Sequence, residues 1–564
     1  MFWFFVELEN VVLLNKLLLC FLEFKNTMVR RILACLFLLL AAFSLYQCGR
    51  KGTPTGGIKD IIPPKMIKAE PENMNINFKA DKIRLYFDEY ITLKDIQNQL
   101  IVSPPLKNLP VITPAGGASK YIEIQLKDTL KENTTYTINF GQSIVDNNEG
   151  NPNSFLTYVF STGSYIDSLS LKGVVEDAFK KKAETFISVM LYEIDSAYTD
   201  STIYKKPPNY ITNTLDSTVI FEMKNLKKGK YALFGLKDEG KNHVFDQKLD
   251  KIAFLNDTIS LPTEETYLLT LFKEQANYSA SVPKFEAKNK IAFGYQGDYN
   301  EIVINTLTKL PDTIKTKITK ERDKDTLNYW FTPFEVDSLL FTIANESLKV
   351  IDTFVVKKRK VELDTLVLKP NKSGAIGFED IFTLAANTPI IKTDTSKIDL
   401  MDKDSIPIKY EAFLDSLDNS IRVNFEKKPN ERYRLAILPG LIEDFFGKTN
   451  DTVVYNLKTN SYADYGNFEL TLSGNVNYPV IIQLTDEKGD VKRELYATEP
   501  DAFSFNNINP GKYLIRVITD ANKNKKWDTG NYLKKIQPER VSHSPKLIEM
   551  RANWEEKYDF ILLE

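Results

Sequence analysis

Apolar residues recur at every second position in short runs such as Ile83-Arg-Leu-Tyr-Phe87, Ile122-Glu-Ile-Gln-Leu126 and Tyr136-Thr-Ile-Asn-Phe140. That period puts one face of each segment in a core and the other in water, as half-buried strands require. Pro104-Pro105, Gly116-Gly117 and Asn147-Asn-Glu-Gly150 separate the runs with turn chemistry. A chain of 564 residues is too long for one core and divides into about four or five domains of ordinary size. Its 43% hydrophobic and 12% aromatic content can fill those cores. The expectation is an all-β, multidomain chain of two-sheet sandwiches.

Part of the chain repeats. Residues 221 to 246 align without a gap on 503 to 528: Phe221 on Phe503, Asn225 on Asn507, Gly229-Lys-Tyr231 on Gly511-Lys-Tyr513, Asp238 on Asp520, Asn242 on Asn524 and Asp246 on Asp528. Gly229 and Gly511 are expected to turn the chain into a strand through a positive φ. A fainter echo joins Tyr136 to Thr162 with Ile421-Arg-Val-Asn-Phe425, Tyr433-Arg-Leu-Ala-Ile437 and the closing Tyr455-Asn-Leu-Lys-Thr459.

The N-terminal region carries a different signal. Arg30 and Arg31 precede an apolar run of 14 residues, Ile32 to Leu45, and then Cys48. That run is shorter than the ~20 residues a spanning helix needs, so a cleaved export signal over 28–48 is the better reading. Leu45-Tyr-Gln-Cys48 resembles a bacterial lipoprotein box, which implies that the Cys48 thiol receives a diacylglycerol and becomes the mature N-terminus. Tyr46 and Gln47 stand where small residues are commoner. Residues 1–27 read either as a mis-assigned start ahead of Met28 or as an extra apolar segment, interrupted by Glu7, Glu9, Asn15 and Lys16. Residues 49–65, rich in Gly, Pro, Thr and Lys, form a flexible tether. All three cysteines, Cys20, Cys35 and Cys48, fall within this region, so the exported body has no cystine and no thiolate zinc site.

Further resemblances organise the body. The start Cys48-Gly-Arg-Lys-Gly-Thr is similar to Bacteroidetes lipoproteins that carry Ig-like domains. Residues 66–164, through Phe87-Asp-Glu-Tyr-Ile91, Tyr136, Asp146 and Tyr158-Val-Phe-Ser-Thr162, resemble the bacterial Ig-like domains of S-layer and surface proteins. Residues 371–461 resemble a second, divergent copy lacking the opening Phe-Asp-Glu. Residues 165–272 and 462–564 resemble small transthyretin-like or carboxypeptidase-regulatory β-sandwiches. The piece between them, 273–370, is β-rich and suggests no family.

Candidate sites are few. Asp520, Asn522, Asn524 and Asp528 fall at positions 1, 3, 5 and 9 of a loop, a spacing that can wrap calcium in oxygen ligands. Asp238, Asn242 and Asp246 repeat it with Gly240 at position 3. Position 6 is Lys525 or His243, and position 12 lacks the bidentate Glu, so the alternative is a turn capped by Asp and Asn side chains. Trp527, Tyr532 and Trp554 could form an aromatic platform for a glycan, set against ordinary core packing. Asp-Ser/Thr-aliphatic triplets at Thr129, Ser168, Thr258, Thr313, Thr365, Ser416 and Thr452 resemble a Bacteroidetes O-glycosylation motif; such triplets also begin strands after turns. His243 and His543, the only histidines, show no triad or metal spacing. A net charge of −2 with mixed signs and no clustered basic stretch argues against a nucleic-acid partner.

Together these point to a non-enzymatic lipoprotein anchored through Cys48 in the outer membrane, facing the periplasm or the surface. A rod of sandwiches would meet a glycan or envelope protein. The alternative is a polysaccharide-processing envelope enzyme or its accessory subunit, whose acids would line a cleft with aromatic walls.

Overall fold

A computed structural model describes residues 60–563, except 155, 215–218, 276–277, 298–300 and 322–323. Cys48, the expected signal helix and most of the tether lie outside the described residues. The protein is all-β: among the described residues the α-helical element is one turn, Ile96–Gln99, and no helix is long and apolar enough to cross a membrane. Contacts between residues divide the chain into two compact units. One contains residues 63–147 and 152–564 and holds all five cores described below. In the described part of the other, Asn151 Nδ2 donates to Asp60 O at 2.8 Å.

The first sandwich packs the sheet Met66–Glu70, Lys82–Leu93, Ser119–Gln125 and Val111–Thr113 on a sheet of Ile101–Ser103, Thr135–Asn139 and Thr157–Ser161. Ile83, Leu85, Phe87, Ile122, Ile124, Ile138 and Phe140, the inward residues of the alternating runs, fill its core. The fourth sandwich has its core at Phe382, Leu384, Ile421, Val423, Tyr433, Leu435 and Leu457. The two share a clamp. In the first, Tyr136 OH accepts Lys131 N–H at 2.9 Å, while Thr162 Oγ1 accepts Thr134 N–H at 3.0 Å and donates to Lys131 O at 2.7 Å. In the fourth, Tyr433 OH accepts Lys428 N–H at 2.6 Å, while Thr459 Oγ1 accepts Glu431 N–H at 3.0 Å and donates to Lys428 O at 2.5 Å. The recurring Tyr and closing Thr therefore tie the turn before one strand to the end of the last. Asn133 and Asn430 supply the same left-handed residue within that turn, at φ 47° and 54°.

The second and fifth sandwiches share one complete topology. Each has a sheet led by a central strand, Gly229–Lys237 or Gly511–Thr519, and a second sheet whose last strand pairs parallel to the first, Thr266–Leu271 on Leu169–Asp177 and Glu555–Leu562 on Gly466–Gly474. Asn225 and Asn507 recur because each is left-handed, at φ 59° and 55°, where the ladder register shifts in a bulge. The expected reason for Gly229 and Gly511 is corrected. Neither has a positive φ; Tyr231 and Tyr513 fold back over them, so a Cβ would stand 3.2 and 3.3 Å from the phenol oxygens. Those phenols donate to Lys227 O at 2.9 Å and Asn509 O at 2.8 Å.

Residues 279–357 form a third sandwich, Lys290–Gln296 and Thr326–Phe331 in one sheet and Ser338–Asn345 central in the other, around Phe293, Tyr329 and Phe341. It touches the fourth where Lys317 Nζ donates to Ile390 O at 3.0 Å and the rings of Trp330 and Phe446 meet at 6.3 Å.

Candidate functional site

The repeated acidic loop follows the central strand of the second and fifth sandwiches. In both copies the backbone turns through two left-handed residues, Lys241 and His243 or Lys523 and Lys525. The first acid caps that turn. Asp520 is fully buried; its Oδ1 accepts Asn524 N–H at 3.0 Å and its Oδ2 accepts Lys525 N–H at 2.9 Å. Asp238 does the same for Asn242 N–H at 3.3 Å and His243 N–H at 2.7 Å. Burial pushes the Asp520 carboxyl up, but the hydrogen bonds from Lys525 N–H, Tyr496 and Asn524 N–H outweigh it and hold it below the usual carboxylate range.

Asn522 Nδ2 and Asn524 Nδ2 both donate to Asp528 Oδ2, at 2.5 and 2.7 Å. Their oxygens are spent on backbone, Asn522 Oδ1 on Asn524 N–H at 3.1 Å and Asn524 Oδ1 on Lys526 N–H at 2.8 Å. Calcium requires oxygens converging on one point. Here two amide N–H groups converge on one carboxylate, so the residues as arranged do not fit the ion; they fit the capped turn. In the first loop Asp246 Oδ1 instead accepts Lys248 N–H at 2.8 Å. Among the described residues no group of three His, Cys, Asp or Glu is placed to hold a metal.

A second carboxylate, which the spacing did not reveal, staples each loop. Asp250 accepts Glu239 N–H at 2.9 Å and Asp246 N–H at 2.8 Å. Glu539 accepts Ala521 N–H at 2.8 Å and Asp528 N–H at 3.0 Å. Burial, followed by the neighbouring aspartates, raises both carboxyls above their ordinary range.

The three aromatic residues expected to form a glycan platform are not brought together as an exposed surface. Tyr532 is 1% exposed, buried against the second sandwich. Trp527 is half-buried against Phe179, with ring centroids 4.9 Å apart, and its Nε1 donates to Glu539 O at 3.0 Å. Trp554 is 38% exposed, with the Arg551 guanidinium 4.6 Å over its ring. Tyr532 and Trp527 are packing residues, the duller of the two expectations.

All seven hydroxyl residues of the Asp-Ser/Thr-aliphatic triplets, Thr129, Ser168, Thr258, Thr313, Thr365, Ser416 and Thr452, are exposed.

A groove at one end of the first sandwich mixes acids with lysines, lined among others by Lys79, Asp81, Asp128, Lys131 and Glu132, with Phe78 buried beneath it. It is open. Asp128 accepts Asn108 N–H at 2.8 Å and Asn108 Nδ2 at 2.6 Å, and these bonds hold its carboxyl below the ordinary range, the reverse of what a proton donor needs. His243 sits 3.5 Å from Asp238, and burial lowers its pKa despite that carboxylate; His543 Nε2 lies 3.0 Å from Phe179 O.

Comparison with known proteins agrees with the first sandwich. The family described as a bacterial Ig-like domain matches residues 60–162. No curated protein matches the chain. Among solved structures, the chain is similar to surface layer protein SbsC, domains 1–6, at 11% identity over 86% of this chain and 67% of that one, with a TM-score of 0.13. BcpA, the major pilin subunit of Bacillus cereus, is 10% identical over 70% and 99%, with a TM-score of 0.14. Domains A168–A170 of titin are 9% identical over 50% and 98%, with a TM-score of 0.13. At such scores nothing about arrangement or activity carries over to this chain.

Proposed function

We propose that the chain is a non-catalytic, lipid-anchored protein of the bacterial envelope, in which the Cys48 thioether holds an Ig-like sandwich and its four companions at the outer membrane. The observation that carries this reading is where the ionisable groups are spent. The buried or raised carboxylates of the loops, Asp238, Asp250, Asp520 and Glu539, each hold backbone N–H groups, so they serve sandwich architecture and not proton transfer. The partner is an envelope protein or glycan met by sandwich surfaces, and the seven exposed Asp-Ser/Thr triplets are sites of O-glycan attachment. Mass spectrometry of the mature N-terminus tests the anchor. A diacylated Cys48, lost in Cys48→Ser together with membrane fractionation, supports it; an unmodified chain still beginning at Met28 overturns it.

A further inference from the structure

The outer face of the second sandwich's central sheet is as apolar as its inner face. Tyr231 and Leu233 point to the core, while Phe234 and Leu236, with Met190, Tyr192, Ile252 and Phe254 of the flanking strands, point the other way and are buried in a second cluster. Part of the cover arrives from the far end of the chain. Tyr532 of the fifth sandwich sets its ring edge-on against Phe234 and Phe254, both at 5.1 Å between centroids. Its backbone N–H donates to the buried Glu274 Oε1 at 2.5 Å and its hydroxyl to Asp200 Oδ1 at 3.2 Å. Around it, Lys535 Nζ pairs with Asp200 at 2.8 Å, Thr529 Oγ1 donates to Lys273 O at 2.6 Å, and Gln537 Nε2 donates to Phe254 O at 2.9 Å.

The cover is reciprocal. The fifth sandwich buries the outer side of its own central sheet, including Arg516, and Phe179 of the second sandwich lies against it, 4.2 Å from the Arg516 guanidinium. Lys181 Nζ donates to Ser544 O at 2.6 Å. An aromatic anchor in a desolvated pocket, ringed by hydrogen bonds, is the anatomy of an interface that holds rather than a chance touch.

We propose that the fifth sandwich is a clasp: it closes the chain onto its own second sandwich through Tyr532 and Phe179. The third and fourth sandwiches are then tied at both ends, and the sandwiches do not behave as independent beads. Added modules between the clasped pair then do not add reach. Two docked modules in one chain meet at a high effective concentration, so modest contacts suffice to keep them closed.

The test cuts the loop. A site for a specific protease is inserted between Arg359 and Lys360, an exposed stretch joining the third and fourth sandwiches, in the otherwise full chain. After cleavage the two pieces are expected to co-elute in size exclusion at micromolar concentration. Tyr532→Ala is expected to weaken their association by about thirtyfold or more, the loss typical of a buried aromatic anchor. Phe446→Ala, which trims the ring contact with Trp330 between the third and fourth sandwiches and the packing on Phe445 but leaves the clasp untouched, is expected to leave it nearly unchanged. Because Tyr532→Ala could also disturb folding, the exposed pair gives a second reading: Lys535→Glu should weaken association roughly threefold, and adding Asp200→Asn, which removes the like charge but keeps an acceptor for the Tyr532 hydroxyl, should recover most of that loss. Pieces of the uncompromised chain that elute apart, or an association indifferent to Tyr532 and to the charge reversal at Lys535, would overturn the clasp.

Discussion

Asp250 and Glu539 each close one copy of the same loop by accepting two backbone N–H groups, Asp250 from four residues beyond the loop's last aspartate and Glu539 from eleven. The position is the same in space, yet the side chain reaches it from different points along the chain and differs by one methylene. Geometry at the loop demands a carboxylate with both oxygens facing in; any nearby backbone that can deliver one will serve.

Glu539→Gln keeps the shape but offers one acceptor oxygen, so one of the Ala521 and Asp528 N–H groups loses its partner, at about 1 kcal/mol. Asp250 is 1% exposed, and Asp250→Asn should cost more, about 1–3 kcal/mol. Denaturant midpoints of the two variants check this ordering. The pH dependence has a definite sign. Burial and the nearby aspartates raise the Glu539 carboxyl, so the folded state keeps its proton to higher pH than the unfolded chain. The stability this group contributes is therefore greatest below the unfolded value and declines as pH rises through the raised folded one. The advantage of the native chain over Glu539→Gln should shrink between the ordinary carboxylate range and neutral pH, and an advantage that grows would contradict the assignment.

The capped-turn geometry makes a prediction for calcium. With the Asn522 and Asn524 amide oxygens held by backbone N–H groups, millimolar calcium should leave the melting temperature of the chain within about a degree of its metal-free value. Asp520→Ala should instead destabilise it by about 1–3 kcal/mol, since two N–H groups of a tight turn lose their acceptor. Calorimetric titration that shows a bound ion abolished by Asp528→Ala would return the loop to metal binding.

The clamp of Tyr hydroxyl and closing Thr, which joins paired strands of one sheet in each sandwich, predicts matched variants. Thr162→Val and Thr459→Val each remove a hydroxyl that both donates and accepts, and each should cost about 1–3 kcal/mol, whereas Tyr136→Phe and Tyr433→Phe remove only one acceptor and should cost about 1 kcal/mol. Hydrogen exchange at Thr134 and Glu431, whose N–H groups the threonines accept, localises the damage to the sandwich mutated.

What could be read beforehand followed from which faces meet water. Ile83, Leu85 and Phe87 alternate with solvated Lys82 and Arg84, so their strand was plain in the sequence. Ala232-Leu-Phe-Gly-Leu236 and Leu327-Asn-Tyr-Trp-Phe331 do not alternate, because neighbouring sandwiches or loops cover the outer face as well. The aspartates and asparagines of the loop were visible through their spacing, but Asp250 and Glu539 were not, because their role is set by distance in space. Core packing was one of the two readings open for Tyr532, but which core it enters was hidden for a related reason. Its pocket belongs to a module whose sequence lies in the first half of the chain, and no local pattern links the two.

Exposure does not distinguish among the modification sites. Thr129, Ser168, Thr258, Thr313, Thr365, Ser416 and Thr452 are all accessible without unfolding, so occupancy in the native host should be set by the modifying enzyme and not by burial. Glycopeptide mass spectrometry should find added hexose-containing mass on peptides spanning several of these residues, removed site by site with Thr→Ala or Ser→Ala and without loss of fold. Unmodified peptides at all seven would reduce the triplets to strand-starting turns.

The clasp gives the last prediction, through His543. Its Nε2 lies 3.0 Å from Phe179 O at the junction of the second and fifth sandwiches. Burial lowers its pKa from the ordinary 6.5, and the Arg516 and Lys181 cations push the same way, opposed by the bond to Phe179 O and by Asp177. The folded state thus binds fewer protons than the unfolded one near that pH. The stability His543 contributes is complete above the ordinary histidine value and is lost as pH falls through it toward the depressed folded value. Hydrogen exchange in the Asp177–Lys181 loop should accelerate, beyond the intrinsic effect of pH, when the chain is taken from pH 7.5 to pH ~5. His543→Gln, which cannot gain the proton, should remove that acid response while leaving Asp200 and Lys535 paired. An acid response of equal size in His543→Gln would place the sensitive group elsewhere.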